Sequence, residues 1–191
     1  MENPCIESTC LEFRTNSRAV RLRIVIARDP DDVDAWLERH PSNVLGLDIE
    51  WKPVFRRNQR PNRASLLQLS SGDEALLIQL FLVPVTPRLL GVLADANVVK
   101  VGVGIQADVD RLQSDWAVTV NGATDIGAGG LSLARVVYQA TGVHLTKDKR
   151  ISRSNWEQHV LSREQIIYAG LDAWAAGEAY VATSRLVCGQ L

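Results

Sequence analysis

Asp48 and Glu50 stand one residue apart in Val44-Leu-Gly-Leu-Asp-Ile-Glu-Trp51, a run that is otherwise apolar. Successive side chains of a strand point to opposite faces, so these two carboxylates project together while Ile49 projects the other way. Tyr168 and Asp172 occur at i and i+4 in Tyr168-Ala-Gly-Leu-Asp172. That spacing puts a phenol and a carboxylate on one face of a helix, about one turn apart. Asp108, in Gly104-Ile-Gln-Ala-Asp-Val-Asp-Arg-Leu112, is the fifth residue of interest. Charges inside apolar runs are costly without a partner. Neighbouring carboxylates repel unless they share a proton or hold a cation. Hard oxygen donors of this kind suit Mg²⁺ or Mn²⁺.

Each element alone has an ordinary explanation. A D-x-E pair is commonly a solvated strand end. Tyr168 fits a core aromatic with a wet hydroxyl. Asp108 fits a first-turn helix acid favoured by the macrodipole. Their combination points elsewhere, because the three sit in or just after core elements, in the order strand, strand–helix junction and C-terminal helix.

The elements that must position them can be read from periodicity. Residues 1–18 are polar and aperiodic and read as a flexible tail. Val20-Arg-Leu-Arg-Ile-Val-Ile-Ala27 alternates and is β-branched, as a strand is. Asp29-Pro-Asp-Asp32 opens a helix with proline in its first turn, and Val33, Trp36 and Leu37 share a face. Strands are expected over 44–51, 64–70 and 74–80, with Ser71-Gly-Asp73 as the turn between the last two. A short helix over 86–96, a buried strand over 97–103 and a helix over 105–115 follow. Thr119-Val120 and Thr124-Asp-Ile126 flank a further short strand. Leu131 to Thr141 is helical and ends at Gly142. Ser162 with Gln165 makes a capping box for a last helix reaching about residue 186. A strand meander followed by alternating helices and strands implies an α/β fold with a mixed sheet. The expectation is one domain over 19–191.

The chain has 191 residues, enough to bury one substantial core. Its net charge is −1, so no global basic field marks a nucleic-acid binder, and such contact needs local patches. No run of about 18 apolar residues exists, so no membrane-spanning helix is expected. The first residues lack a basic region followed by an apolar one, so no signal peptide is expected. Cys5, Cys10 and Cys188 form no C-x-x-C pair, which fits a reducing intracellular compartment, nuclear or cytoplasmic, rather than a disulfide framework or zinc site.

Leu47-Asp-Ile-Glu-Trp51, Val101-Gly-Val-Gly-Ile-Gln-Ala-Asp-Val-Asp-Arg-Leu112 and Tyr168-Ala-Gly-Leu-Asp-Ala173 resemble the three exonuclease motifs of the DEDD superfamily, tyrosine subclass. Leu131-Ser-Leu-Ala-Arg135 and Lys147-Asp-Lys-Arg-Ile-Ser-Arg-Ser-Asn-Trp156 are similar to the segments between the second and third motifs in Werner-syndrome-type exonuclease domains, the stand-alone plant form above all. The resemblance covers roughly residues 20–186. It implies a ribonuclease H-like fold, a mixed β-sheet flanked by helices, and 3′→5′ exonuclease activity on DNA with two ions of Mg²⁺ or Mn²⁺. By this resemblance Asp48, Glu50 and Asp172 hold the metal that activates water. Asp48 bridges to a second metal, which Asp108 serves directly or through water, and Tyr168 orients the attacking water. All five positions are occupied. The partner implied is a nucleic acid with a free 3′ end, no membrane is involved, and a nuclear location is favoured.

Two basic clusters suit phosphate contact. Arg56-Arg-Asn-Gln-Arg-Pro-Asn-Arg63 carries Arg56, Arg57, Arg60 and Arg63 with no acid, directly after the D-x-E strand. Lys147, Lys149 and Arg150 form the second cluster. Either can equally be a solvated loop. Trp51 can stack on a terminal base or fill the sheet core, whereas Trp156 and Trp174 read as core. His40, His144 and His159 have no metal-ligand spacing and read as surface or loop residues.

Three rival readings stand beside this one. Gly102-Val-Gly-Ile-Gln-Ala107, with Asp125 following, matches a dinucleotide-binding fingerprint. That motif follows a strand meander rather than opening a βαβ unit, and it leaves Asp48, Glu50, Tyr168 and Asp172 unexplained. A non-catalytic module that binds nucleic acid or protein would be favoured by loss of a carboxylate, and none is lost. The same chemistry on RNA, as in the ribonuclease D branch, is left open because 2′-hydroxyl discrimination depends on a few local contacts.

Overall fold

Alternating and leucine-rich stretches with a face to bury form one seven-stranded mixed sheet in the computed structural model, which describes residues 8–56, 59–146 and 148–188. The strands are β1 (Ser8–Arg14), β2 (Ala19–Ile26), β3 (Val44–Glu50), β4 (Leu66–Ser71), β5 (Glu74–Gln79), β6 (Val99–Gly102) and β7 (Ala123–Asp125). Their order across the sheet is β1-β2-β5-β4-β3-β6-β7. β3 runs antiparallel to β4 and parallel to β6, so the strand carrying Asp48 and Glu50 is central.

The helices are α1 (Pro30–Arg39), α2 (Pro87–Ala94), α3 (Ile105–Trp116), α4 (Leu133–Thr141), the single turn α5 (Lys149–Ser152) and α6 (Arg163–Cys188). They divide between the two faces of the sheet, as the strand periodicity requires. Leu45, Leu47 and Ile49 of β3 face Val33 and Trp36 of α1, Leu89 of α2 and Ile105 of α3 in one core cluster. Leu22, Ile24, Leu66 and Leu77 face Val137 of α4 and Ala169 and Trp174 of α6 in the other. Asp48 and Glu50 alternate with the first set, so they point to the α6 side.

Local chemistry explains the element boundaries. Asp29 caps α1 by accepting from the Asp32 amide at 2.9 Å, with Pro30 at the first helical position. At the start of α6 the Ser162 amide donates to Gln165 Oε1 at 2.9 Å, and the Gln165 amide donates back to Ser162 Oγ at 3.3 Å. This is the reciprocal capping box expected from the sequence. Gly142 ends α4 with φ of 74°, a left-handed position that costs glycine nothing.

The structure corrects one boundary. Residues 8–14, read as part of a flexible tail, form β1, antiparallel to β2 with Leu11 opposite Leu22. Thr9, Leu11 and Phe13 turn inward in alternation with Ser8, Cys10, Glu12 and Arg14, a period-two pattern too short and too polar to stand out. Phe13 meets the Trp174 ring edge-on at 4.9 Å, which anchors this edge strand to α6. Among the described residues no helix is long and apolar enough to cross a membrane.

Candidate active site

The side chains of Asp48, Glu50 and Asp172 each bring a carboxylate oxygen within 4.8 Å of the other two. Asp48 and Glu50 are half-buried, and Asp172 is buried. Two residues of one strand and one of a helix 122 positions further on converge because α6 lies directly on β3. Gly46 makes that approach possible. A Cβ at this position would overlap the carbonyl oxygen of Ala173 and the Oγ of Ser70. Ser70 Oγ donates to the same Ala173 carbonyl at 2.8 Å, which ties β4 to the helix beside the acids. Three hard oxygen donors at this spacing form a group that could hold a metal ion.

A cleft of about 290 Å³ opens over this group. Its walls include Asp48, Glu50, Trp51, Asp108, Ser132, Tyr168 and Asp172, so all five motif residues line one space. Burial raises the Tyr168 phenol above its ordinary range, and the charges of Asp172, Glu50 and Asp48 and a hydrogen bond to Asp172 push it the same way. This environment favours the neutral phenol.

Asp108 lies in the first turn of α3, outside the group of three. Burial pushes its carboxyl up to about 7, against the lowering charge of Arg111 and with the raising charge of Asp125. The turn that delivers it needs glycine, because Gly104 caps α3 with φ of 69°. Asp125 accepts from the amides of Gly104 at 3.1 Å and Gly127 at 2.7 Å. In the dinucleotide reading Asp125 would hold a ribose, but here it is a brace for the turn.

Arg111, which entered no sequence argument, joins several parts of the cleft wall. Its guanidinium lies 4.0 Å from the centre of the Trp51 ring, and its Nη1 donates to the Asn62 carbonyl at 2.7 Å. The signal was its spacing, three residues after Asp108 on the same helical face. Trp51 is half-buried, packed against the α1–α3 core cluster, and lines the cleft with one ring face under Arg111.

The basic residues divide. Arg56 and Arg60 are exposed, and neither guanidinium has an ion-pair partner among the described residues. Arg63 lies over the Trp116 ring at 4.1 Å. Lys149 and Arg150 sit on α5 and are not among the residues that line the cleft. Arg150 is paired with Asp148 at 2.8 Å, because that aspartate caps α5 and stays within reach. Arg57 and Lys147 lie outside the described residues. Trp156 and Trp174 are fully buried. His40 packs on Trp36 and lies 3.2 Å from Glu74, far from the cleft-lining residues.

A central strand bearing two acids, covered by a helix that supplies a third, on a mixed sheet with helices on both faces, defines a ribonuclease H-like α/β domain with an acidic, metal-capable site. The chain belongs to the 3′-5′ exonuclease family, which matches residues 24–180. It is 31% identical over 146 residues to a 3′-5′ exonuclease of Arabidopsis thaliana, covering 71% of this chain and 51% of that protein. It is 29% identical over 190 residues to the bifunctional 3′-5′ exonuclease/ATP-dependent helicase WRN of Mus musculus, covering 91% of this chain and 14% of that protein. The chain thus spans about half the length of the plant relative and a small part of the mouse one. The fold is shared with RNase D of Escherichia coli at a TM-score of 0.68 and 22% identity, over 84% of this chain and 45% of that one.

Proposed function

We propose that this chain hydrolyses phosphodiester bonds of DNA from a free 3′ end, with two divalent cations, Mg²⁺ or Mn²⁺, held by its acidic cleft. The observation that supports this most directly is the group of three carboxylates within 4.8 Å, in a cleft also lined by Tyr168 and Asp108. In the reaction a water oxygen attacks the phosphorus between the last two nucleotides. The bond from that phosphorus to the 3′-oxygen of the penultimate nucleotide breaks, that oxygen takes a proton, and a nucleoside 5′-monophosphate leaves. Bound divalent cations supply an activated water and stabilise the leaving oxygen.

The chain's own residues do the rest. Asp48, Glu50 and Asp172 would hold the cation that activates water, and Asp48 and Asp108 would serve the second. Tyr168, kept neutral, donates or accepts a hydrogen bond that aims the water. Trp51 borders the cleft where the terminal base would lie, and Arg56 and Arg60 reach phosphates further along the strand. Arg57, Lys147, Lys149 and Arg150 belong to the same reading.

DNA is favoured by the similarity of the intermotif segments to those of Werner-type exonuclease domains. A nuclear location goes with that reading. The second reading is RNA, since the E. coli protein of shared fold is described as an exoribonuclease involved in structured RNA processing. Purified protein incubated with sequence-matched, 5′-labelled DNA and RNA strands, with Mg²⁺, Mn²⁺ or EDTA, tests both. Stepwise shortening of DNA that stops with EDTA is expected. Preferential shortening of RNA would replace the DNA reading, and full activity in EDTA would overturn the metal chemistry.

A further inference from the structure

Gln68 lies in the middle of β4, is fully buried, and has no hydrogen-bond partner among the described residues at either its amide nitrogen or its amide oxygen. A buried amide without partners forfeits its hydration and gets nothing back. Leucine or methionine would fill a similar volume without that penalty. The place of this glutamine in the ladder gives it a use. Gln68 stands directly opposite Asp48 in the antiparallel pair of β3 and β4. Residues so paired share a face, with Cβ atoms about 4.5–5.5 Å apart. The next residue on that face, Ser70, donates to the Ala173 carbonyl of α6. Gln68 is therefore sealed in the layer between the sheet and the helix that brings Asp172.

We infer that Gln68 is a positioning residue for the acidic site, its amide steadying the Asp48 carboxylate directly or through one trapped water when a cation is held. This rests on the metal reading of the cleft. Asp48 Oδ1 accepts from the Ile49 amide at 2.9 Å, and a carboxylate has about four lone-pair sites, enough to hold a cation and accept from a further donor as well. A fixed donor there sets the rotation of the carboxylate and keeps it from swinging away. Groups placed behind metal ligands in this manner change affinity by 10–100-fold when removed. A buried amide of purely structural use would instead leave cation binding alone.

The test measures Mn²⁺ binding by calorimetry on metal-free wild type, Gln68→Leu and Gln68→Met, with melting temperature on the same samples. Both variants are expected to fold as well as wild type or better, since each removes an unpartnered amide. Both are expected to bind Mn²⁺ 10–100-fold more weakly. With excess Mn²⁺, turnover should fall more than KM rises. Mn²⁺ affinity within twofold of wild type in both variants overturns the inference while leaving the metal reading intact. Failure of both variants to fold also overturns it, by assigning Gln68 to the core alone. Wild-type protein that binds no Mn²⁺ overturns the metal reading itself, and this inference with it.

Discussion

The guanidinium of Arg111 covers one face of the Trp51 ring at 4.0 Å while its Nη1 holds the Asn62 carbonyl at 2.7 Å. One α3 side chain thereby fixes the end of β3 and the root of the segment that carries the arginines. Its neighbours strengthen the junction. Asp115 accepts from the Ala64 amide at 2.8 Å, and Trp116 Nε1 donates to the Ala64 carbonyl at 2.8 Å.

Replacing Arg111 by alanine should cost about 2–4 kcal/mol, from a cation–π contact of about 0.5–1 kcal/mol and a charge-assisted hydrogen bond of about 1.5–3 kcal/mol. For a chain of this size the melting temperature should fall on the order of 5–10 °C. Arg111→Lys keeps the charge beside Asp108 but loses the planar stack and the fork. It should recover less than half of the lost stability. Calorimetric melting of both variants checks this, and an unchanged transition in Arg111→Ala would show that the contact stabilises nothing.

Asp48→Ala should be the most damaging single change at the cleft. Cation assistance is worth several kcal/mol in the transition state, so turnover should drop on the order of 10³-fold or more. Circular dichroism should show the fold retained, because Asp48 contributes to no core cluster. Near-normal turnover on a labelled strand would contradict the proposed sharing of Asp48 between two ions.

Tyr168→Phe should keep the fold and the cation affinity and lose on the order of 10²-fold in turnover, the usual worth of one water-orienting or proton-handling group. Because burial and three nearby acids favour the neutral phenol, wild-type turnover should show no alkaline step that Tyr168→Phe abolishes. A turnover within twofold of wild type would reduce Tyr168 to a packing residue.

Arg56 and Arg60 are exposed, so their worth should appear in salt dependence rather than stability. Each phosphate neutralised on a single strand contributes about −0.7 to the log–log slope of affinity against salt. The double glutamine variant should therefore flatten the slope by about 1 to 1.4, equally for different base sequences. Binding is measured with Asp48→Ala protein so that the strand survives. An unaltered slope would leave both arginines as solvated loop residues.

Much of this was legible in the residue pattern. The i, i+2 and i, i+4 spacings put Asp48 with Glu50 and Tyr168 with Asp172, and the capping box fixed where α6 begins. What periodicity does not carry is packing. That Asp172 meets Asp48 depends on the missing side chain of Gly46, which in the sequence looks like any strand glycine. Gln68, within Leu66-Leu-Gln-Leu-Ser70, entered no sequence argument, since the pattern cannot tell a solvated face from one covered by a helix. Arg150 seemed free to reach a phosphate because a basic cluster does not reveal a capping aspartate beside it. β1 was missed since an edge strand buries only one row of side chains, and Leu11 and Phe13 are a short row.

The close seat of α6 on Gly46 also makes the chemistry answerable to residues that do not line the cleft. The grip on a cation is set by how far a helix stands off a sheet, a spacing of one absent methyl group. Gly170, two residues before Asp172 on the same helix, rests on the Ile24 side chain. A bulkier residue at either support would lift α6 like a shim under a beam and part Asp172 from its two companions. Substitutions that preserve all five cleft residues can thus silence the protein, and turnover becomes a sensitive gauge of core packing on the α6 side of the sheet.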